Sequence, residues 1–385
     1  MKVAHISDSH LGYNQYRLVQ RREDFFTAFK RAVDEAIERG VELIIHTGDL
    51  FESYHPDMAT LSQAIKLFTE IKNRGVKVVA IAGNHDRVLR RGLLSPQKVL
   101  SDLELIDFID PAGSTYYKDL FIAGFRYFPK SFIPAVRERF FDGFSREAER
   151  AGVSIFMFHQ ALDQYLPYEM AYEITVSELP ENFTYYAGGH IHTYHVANIK
   201  NGIFSYPGAT EFHSKVEARA GRRGFNIFDT ETGKLERVEL EGLRPFFVLK
   251  TNEERADGDL RELLEKVKEC SQPPVVLIDY SYSKTEITAF SCVLKEIENR
   301  SLYLRVYELR QIEGKDPLLT EQTKSYAEIF EEYAKEQKLP KKAVLLGSEV
   351  VKGSVEDVSH LVEEFLKGEL GDFFEEFKKF AEEFS

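Results

Sequence analysis

Cysteine is nearly absent: the chain has two, Cys270 and Cys292, and neither stands at metal-ligand spacing from a partner. A disulfide scaffold and a thiolate-held metal are both excluded as organising principles, and two ordinary buried thiols in a reducing compartment are the expectation. Long hydrophobic runs are also missing. No stretch approaches the roughly 20 apolar residues of a membrane-spanning helix, and Met1-Lys2 leads straight into a strand pattern, so no signal peptide is expected. Internal repeats, low-complexity tracts, a Walker-type phosphate loop and a Rossmann fingerprint are lacking too, which argues against nucleotide hydrolysis by this chain itself. Positive charge is in deficit, with a net charge of −13 over 385 residues. The deficit is uneven. Residues 317–385 hold 9 Lys against 16 Asp and Glu and carry −7, leaving −6 for the rest. Divalent cations would cancel further negative charge wherever a phosphate must approach, so charge does not decide the substrate.

What is present is 43% hydrophobic residues, ample for burial, in a chain long enough for two or three domains. Its organising stretch is Gly83-Asn84-His85-Asp86, where the apolar run containing Val76, Val78, Val79 and Ile81 stops at polar residues. The same event recurs at Asp8-Ser9-His10, Gly48-Asp49, His159 and Gly188-Gly189-His190-Ile191-His192. Ligands of open α/β sheets gather at the carboxyl ends of strands. Seven oxygen and nitrogen donors delivered there, Asp8, His10, Asp49, Asn84, His159, His190 and His192, exceed the needs of one ion and suit two.

The spacing predicts helices from Arg22 to Arg39, carrying Phe25, Phe29, Ala32, Val33 and Ala36 on one face, and near Asp57 to Arg74, with Leu61, Ile65 and Phe68 on one stripe. From Tyr116 short strands follow (Phe121–Phe125, Ile203–Tyr206, Gly224–Asp229, Val238–Leu240), predicting a second sheet packed on the first. The fold class expected is α/β: a four-layer α/β/β/α sandwich over residues 1–241, a small β-α-β-α-β cap over 242–312, and a linker with a helical tail over 313–385. In that tail Tyr326, Ile329, Phe330 and Tyr333 form one stripe, Val358, Leu361, Val362 and Phe365 another, and Phe373, Phe377, Phe380 and Phe384 a third. Such aromatic surface suits either a small bundle folded onto the body or a docking module for partner helices.

The donors have distinct chemical uses. Asp8 and His10, two apart beyond a strand end, can turn toward one cation, and His190 with His192 repeats the pattern. Asp49 is the one other carboxylate so placed and is the candidate bridge, because two cations about 4 Å apart repel and a shared anion holds them. Asn84 adds a carbonyl oxygen and His159 an imidazole. Mixed oxygen and nitrogen ligation without thiolate favours Mn²⁺, Fe²⁺ or Zn²⁺ over Ca²⁺. Each fragment alone is common by chance; the five in this order are not.

That order resembles the calcineurin-like metallophosphoesterase superfamily across residues 1–210. Ile6-Ser7-Asp8-Ser9-His10-Leu11-Gly12-Tyr13, Thr47-Gly48-Asp49-Leu50-Phe51, Phe158-His159-Gln160, Tyr185–His192 and Tyr206-Pro207-Gly208-Ala209-Thr210-Glu211 are similar to the archaeal nucleases of double-strand-break repair, the meiotic-recombination-eleven family. The cap and the tail fit that family as well. The resemblance implies two Mn²⁺ per subunit, with Mg²⁺, Fe²⁺ or Zn²⁺ as alternatives. One ion would be held by Asp8, His10, Asp49 and His192, the other by Asp49, Asn84, His159 and His190. It implies that His85 contacts the scissile phosphate and assists the leaving 3′-oxygen, while a metal-activated hydroxide attacks in line. It further implies 3′-to-5′ exonuclease action on duplex ends, endonuclease action on single strands or hairpins, and a cytoplasmic, nucleoid-associated archaeal setting. DNA ends, an SMC-like coiled-coil ABC repair ATPase and a second copy of the chain are the implied partners, with no membrane. A phosphomonoesterase or cyclic-nucleotide phosphodiesterase would share all seven donors, and a DNA-end-binding scaffold is the non-enzymatic alternative.

Two departures stand out: Glu52 occupies a place where some relatives carry a His, and Gly189 replaces a common Leu. His5 and His46 lie within apolar runs and read as core; His55, His195, His213 and His360 read as solvated. Arg17, Arg21 and Arg22, then Arg87, Arg90 and Arg91, flank site residues and would steer a DNA backbone if exposed; Lys215, Arg219, Arg222 and Arg223 form a third basic run. Tyr13 suits packing against either a nucleotide or the protein. Leu61, Ile65 and Phe68 with Val99 and Leu100 suit either a dimer surface, as the resemblance implies, or the core.

Overall fold

The structure is a computed structural model describing residues 1–88, 93–164 and 172–310. The strands, in chain order, are β1 (Lys2–Ile6), β2 (Leu43–Thr47), β3 (Lys77–Ile81), β4 (Asp107–Ile109), β5 (Ala112–Tyr117), β6 (Leu120–Phe125), β7 (Ser154–Phe158), β8 (Tyr185–Gly188), β9 (His195–Ile199), β10 (Gly202–Tyr206), β11 (Gly224–Asp229) and β12 (Lys234–Glu239). They form two sheets of order β12-β11-β1-β2-β3-β4 and β5-β6-β7-β8-β10-β9. β1 to β4 run parallel to one another, as do β6, β7, β8 and β10. Their near-continuous Val, Ile and Phe content is what parallel strands buried on both faces require.

Alternation along each strand sorts side chains into layers. Val3, Leu43, Ile45, Val79 and Ile81 of the first sheet meet Ile122, Ile155, Met157, Tyr185 and Ala187 of the second. The opposite face of the first sheet, with Ala4, Ile44, Val78 and Ala80, packs on α1 (Val19–Glu38) and α2 (Met58–Asn73) through Phe29, Ala32, Val33, Ala36, Ala64 and Phe68. α3 (Pro96–Asp102) completes that side, with Leu100 in the same core. The far face of the second sheet carries Phe121, Ala123, Phe156, Phe158 and Phe204. Its cover is a helical run made of α4 (Ile133–Val136), a π turn (Arg137–Phe141) and α5 (Asp142–Ala151). The expected α/β/β/α sandwich is the observed one.

The helical run from Ile133 to Ala151 shows no helical spacing in the sequence. Its buried residues Ile133, Val136, Phe141, Phe144 and Ala148 step by five across the π turn instead of three or four, which breaks the helical period. β9 was missed because it is an edge strand with only Ile199 fully buried.

Beyond β12, α6 (Lys215–Ala220) having preceded it, come β13 (Phe246–Asn252), α7 (Ala256–Lys268), β14 (Val275–Tyr282), α8 (Ser291–Arg300) and β15 (Tyr303–Arg310), with sheet order β13-β14-β15. Residues 1–280 and 287–308 form one compact unit, and Ser281–Glu286, Leu309 and Arg310 lie outside it. Within that unit the small sheet is pinned to the sandwich by Arg244 on Asp24 (2.6 and 3.0 Å), by Tyr16 stacked on Tyr303 (4.0 Å between centroids) and by Lys215 and Arg219 on Asp279 (2.6 and 2.7 Å). The tail residues Tyr326, Phe330, Phe365, Phe373 and Phe377 lie outside the described residues, as does Arg90. No helix among the described residues is long and apolar enough to cross a membrane.

Candidate metal centre

The parallel strands end in tight loops that converge. β1 delivers Asp8 and His10, β2 Asp49, β3 Asn84 and His85, β7 His159, and β8 His190 and His192. A bridge between Ser7 and Ala209 ties the loop after β1 to that after β10, joining the carboxyl edges of the two sheets. Asp8, His10, Asp49 and His190 all take positive φ (52, 44, 51 and 89°), a region that non-glycine residues rarely occupy. Those turns aim the side chains inward. Close approach sets two glycines: a Cβ at Gly83 would overlap Asp49 Oδ1 and its backbone N, and one at Gly189 would overlap the Thr47 carbonyl.

Asp49 is 1% exposed and lies between two sets of imidazoles, its Oδ2 3.7 Å from His10 Nε2 and 3.2 Å from His159 Nε2. Asp8, His10 and Asp49 can hold one ion, and Asp49, His159 and His190 another. Asn84 Oδ1 belongs with the second group, 3.2 Å from His159 Nε2 and 2.9 Å from His190 Nδ1. Asp8 Oδ1 approaches His192 Nε2 at 3.7 Å. All seven expected donors are thus brought together.

Their outward atoms are held by partners the sequence reading assigned no such role. His10 Nδ1 meets Glu52 Oε2 at 2.8 Å, His192 Nδ1 meets Glu217 Oε1 at 3.2 Å, and His159 Nδ1 donates to the Thr47 carbonyl at 2.7 Å. These acceptors place the ring proton on Nδ1 and leave the Nε2 lone pair for a metal, the usual outer support of ligating histidines. His10 and His192 therefore face each other through two bare Nε2 atoms only 3.3 Å apart. Two imidazole nitrogens at that separation can both engage one cation, so the donor set fits bound metal. Asp86 holds the loop beneath, accepting from Gly83 N (2.7 Å) and Phe51 N (3.1 Å). Burial opposes the charge on Asp49, yet His159, His10 and His85 outweigh it and hold the carboxyl well below the usual range. Burial likewise opposes a charged His159, and Asp49 and Asp8 raise that ring to about 9. Burial and the neighbouring His159 bring His190 down to about 4.

His85 differs from the donors. Its backbone N donates to Asp49 Oδ1 (2.9 Å), its Nδ1 contacts the Glu52 carbonyl (3.1 Å), and its side chain is 40% exposed. His5 and His46 are core residues, as expected: His5 contacts Tyr185 Oη (2.6 Å) and Thr47 Oγ1 (2.9 Å), and His46 Nε2 contacts Ser9 Oγ at 3.0 Å. His213 is a correction. Expected in solvent, it instead sits against His10 and His192, with centroids 4.0 and 4.6 Å away. Its signal was present: β10 lies parallel to β8, so its polar exit, Pro207 to His213, reaches the same edge.

The basic runs also change. Arg21 is fully buried, bonded to Glu211 and Asp24, and Arg223 is 3% exposed, holding the His192 carbonyl at 2.7 Å; neither can meet DNA. Arg22 pairs with Asp57. Arg17 is exposed, and Arg87 is half-buried with its guanidinium 4.8 Å over the Tyr127 ring. Tyr13 stacks on His213 at 4.9 Å. Leu100 and Phe68 are core residues and cannot form a dimer surface, whereas Leu61, Ile65 and Val99 are half-buried.

A family model for calcineurin-like phosphoesterases matches residues 1–194. Fold, donor set and match define a metal-dependent phosphoesterase with a dimetal site. The chain is 30% identical to the DNA double-strand break repair protein Mre11 of Sulfurisphaera tokodaii, with 80% of each chain covered. It is 31% identical to that of Methanocaldococcus jannaschii over 72% of this chain and 75% of the other, and 27% identical to that of Methanococcus maripaludis over 88% and 92%. The chain belongs to the Mre11 family of calcineurin-like phosphoesterases.

Proposed function

We propose that this chain is a Mn²⁺-dependent DNA nuclease of double-strand-break repair. Asp8, His10, Asp49 and His192 would hold one ion, and Asp49, Asn84, His159 and His190 the other. Two bound cations would activate water at neutral pH and offset the charge that builds on the phosphoryl oxygens. Asp49, within reach of both imidazole sets, would serve both ions. Glu52, Glu217 and the Thr47 carbonyl fix the tautomers of three ligands. His85 would meet the scissile phosphate and assist the leaving 3′-oxygen. The observation that carries this role is its exposure beside otherwise buried donors, with Nδ1 already engaged. Arg87 and Tyr13 near the site and the exposed Arg17 are the residues proposed to meet DNA, together with Arg90. Residues 1–241 would form the nuclease domain, 242–312 a DNA-binding cap and 313–385 the part that meets an SMC-like ABC ATPase. A homodimer through Leu61, Ile65 and Val99 belongs to the same proposal.

Cleavage of end-labelled duplex and hairpin DNA with Mn²⁺, Mg²⁺ or EDTA tests it, with His85→Gln, para-nitrophenyl phosphate and a cyclic nucleotide alongside. Mn²⁺-dependent cleavage that is lost in His85→Gln while metal stays bound is expected. Turnover of the small esters with DNA intact would overturn the nuclease reading in favour of a phosphomonoesterase or cyclic-nucleotide phosphodiesterase.

A further inference from the structure

Three imidazoles, not two, converge on one side of the centre. His10, His192 and His213 each offer a ring nitrogen, and the three nitrogens lie within 4.8 Å of one another. Neighbouring nitrogens bound to one ion at about 2.1 Å stand about 3.0–3.4 Å apart, the separation His10 and His192 already have (3.3 Å), so a shift of the His213 ring by at most about 1.5 Å would seat all three on one cation. His213 is free to do this. Its Nε2 is buried with no hydrogen-bond partner, an arrangement that costs free energy unless something else engages it. Its ring stacks on Tyr13 (4.9 Å, 9° between planes) and meets the edge of Phe25 at 4.8 Å, contacts that keep it on this side of the centre. Its backbone is anchored as well: the His213 carbonyl accepts from Gln15 Nε2 at 2.7 Å, and its N–H donates to Glu217 Oε2 at 3.1 Å. Glu217 also holds His192, so one carboxylate positions two of the three rings.

We propose that His213 is a further protein ligand to the cation held by His10 and His192, giving that ion a third imidazole and leaving the two metal positions unlike. The added nitrogen would tilt that position toward borderline ions such as Zn²⁺, Fe²⁺ or Co²⁺ and away from oxygen-preferring ones. The proposal rests on the dimetal reading.

The test uses the full chain stripped with EDTA and titrated with Co²⁺ alone, following the visible absorption of the bound ion and competition with a chelator. His213→Phe keeps the stacked shape without the donor, and His213→Gln keeps a polar side chain without the imidazole. Two Co²⁺ are expected in the parent chain, and one of them should weaken by about 10- to 100-fold with a changed spectrum in both variants. Unchanged affinity and spectrum for both ions in a folded His213→Phe would reduce His213 to packing and overturn the proposal. If that variant does not fold, His213→Gln decides by the same readout. A parent chain that fails to bind two ions would sink the dimetal reading itself, a different result from an indifferent His213.

Discussion

Single residues at this centre are held in conformations that few side chains adopt unaided. Each left-handed ligand residue costs on the order of 1–3 kcal/mol, and the surrounding bonds keep it there: Asp8 N to the Gly48 carbonyl (3.2 Å) and His10 N to the Asp49 carbonyl (3.0 Å). The close contact at Gly83 leaves no slack. Gly83→Ala should lower stability by about 1–3 kcal/mol and displace Asp49, read as a lower urea midpoint together with loss of both metals. His46 gives a pH signature. Burial pushes it from 6.5 down to about 3, so the unfolded chain takes up a proton in that interval and the folded chain does not. Stability should therefore fall as pH drops from 6.5 toward 3, by up to about 1.4 kcal/mol per unit, and be indifferent to this group above that window. Urea midpoints of EDTA-treated protein should show a shallower acid slope in His46→Gln. The seven donors were legible because each follows an apolar strand, where chemistry-bearing residues have little structural reason to gather. His213 and Glu217 were not, since they reach the centre through a loop and a short helix whose positions depend on which strands run parallel.

Among the elements, α6 is small but doubly engaged. Glu217 on it holds His192, while Lys215 and Arg219 on it pair with Asp279 of β14. A displacement of the small sheet would reach His192, a proposed metal ligand, through a single turn or two of helix. Glu217→Gln should weaken metal binding by about 10- to 100-fold with little change in helix content, checked by chelator competition and circular dichroism. Helices with an even stripe were legible from spacing: α1 begins at Val19, three residues before the expected Arg22, and α2 is capped by Asp57, whose side chain accepts from Thr60 N. The π turn between α4 and α5 hid its helix because the apolar period slips there.

At the scale of the molecule, Asp24 is a shared fastening. It accepts from Arg21 (2.7 Å) inside the sandwich and from Arg244 (2.6 Å) at the entry to the small sheet, and both arginines are at most 11% exposed. Removing its charge leaves Arg21 with Glu211 as its one carboxylate partner and takes from Arg244 the carboxylate it pairs with, leaving it the Pro273 carbonyl. Asp24→Asn should cost about 3 kcal/mol, seen as a lower melting temperature and faster proteolysis near residues 241–245. The layer architecture followed from alternation of strands and helices. How the small sheet is fastened did not, because Tyr16, Asp24 and Asp279 carry no pattern until their partners are known.

The donors are widely scattered along the chain, from Asp8 to His192. A ribosome adding about 5–20 residues per second releases the first ligand well before the last, so the emerging chain spends about 10–40 s with half a centre. Glu217 and His213 emerge later still. On the proposed ligand set, a nascent chain would be inert toward the nucleic acid around it, and the capacity to cut would arise only once the whole sandwich has closed.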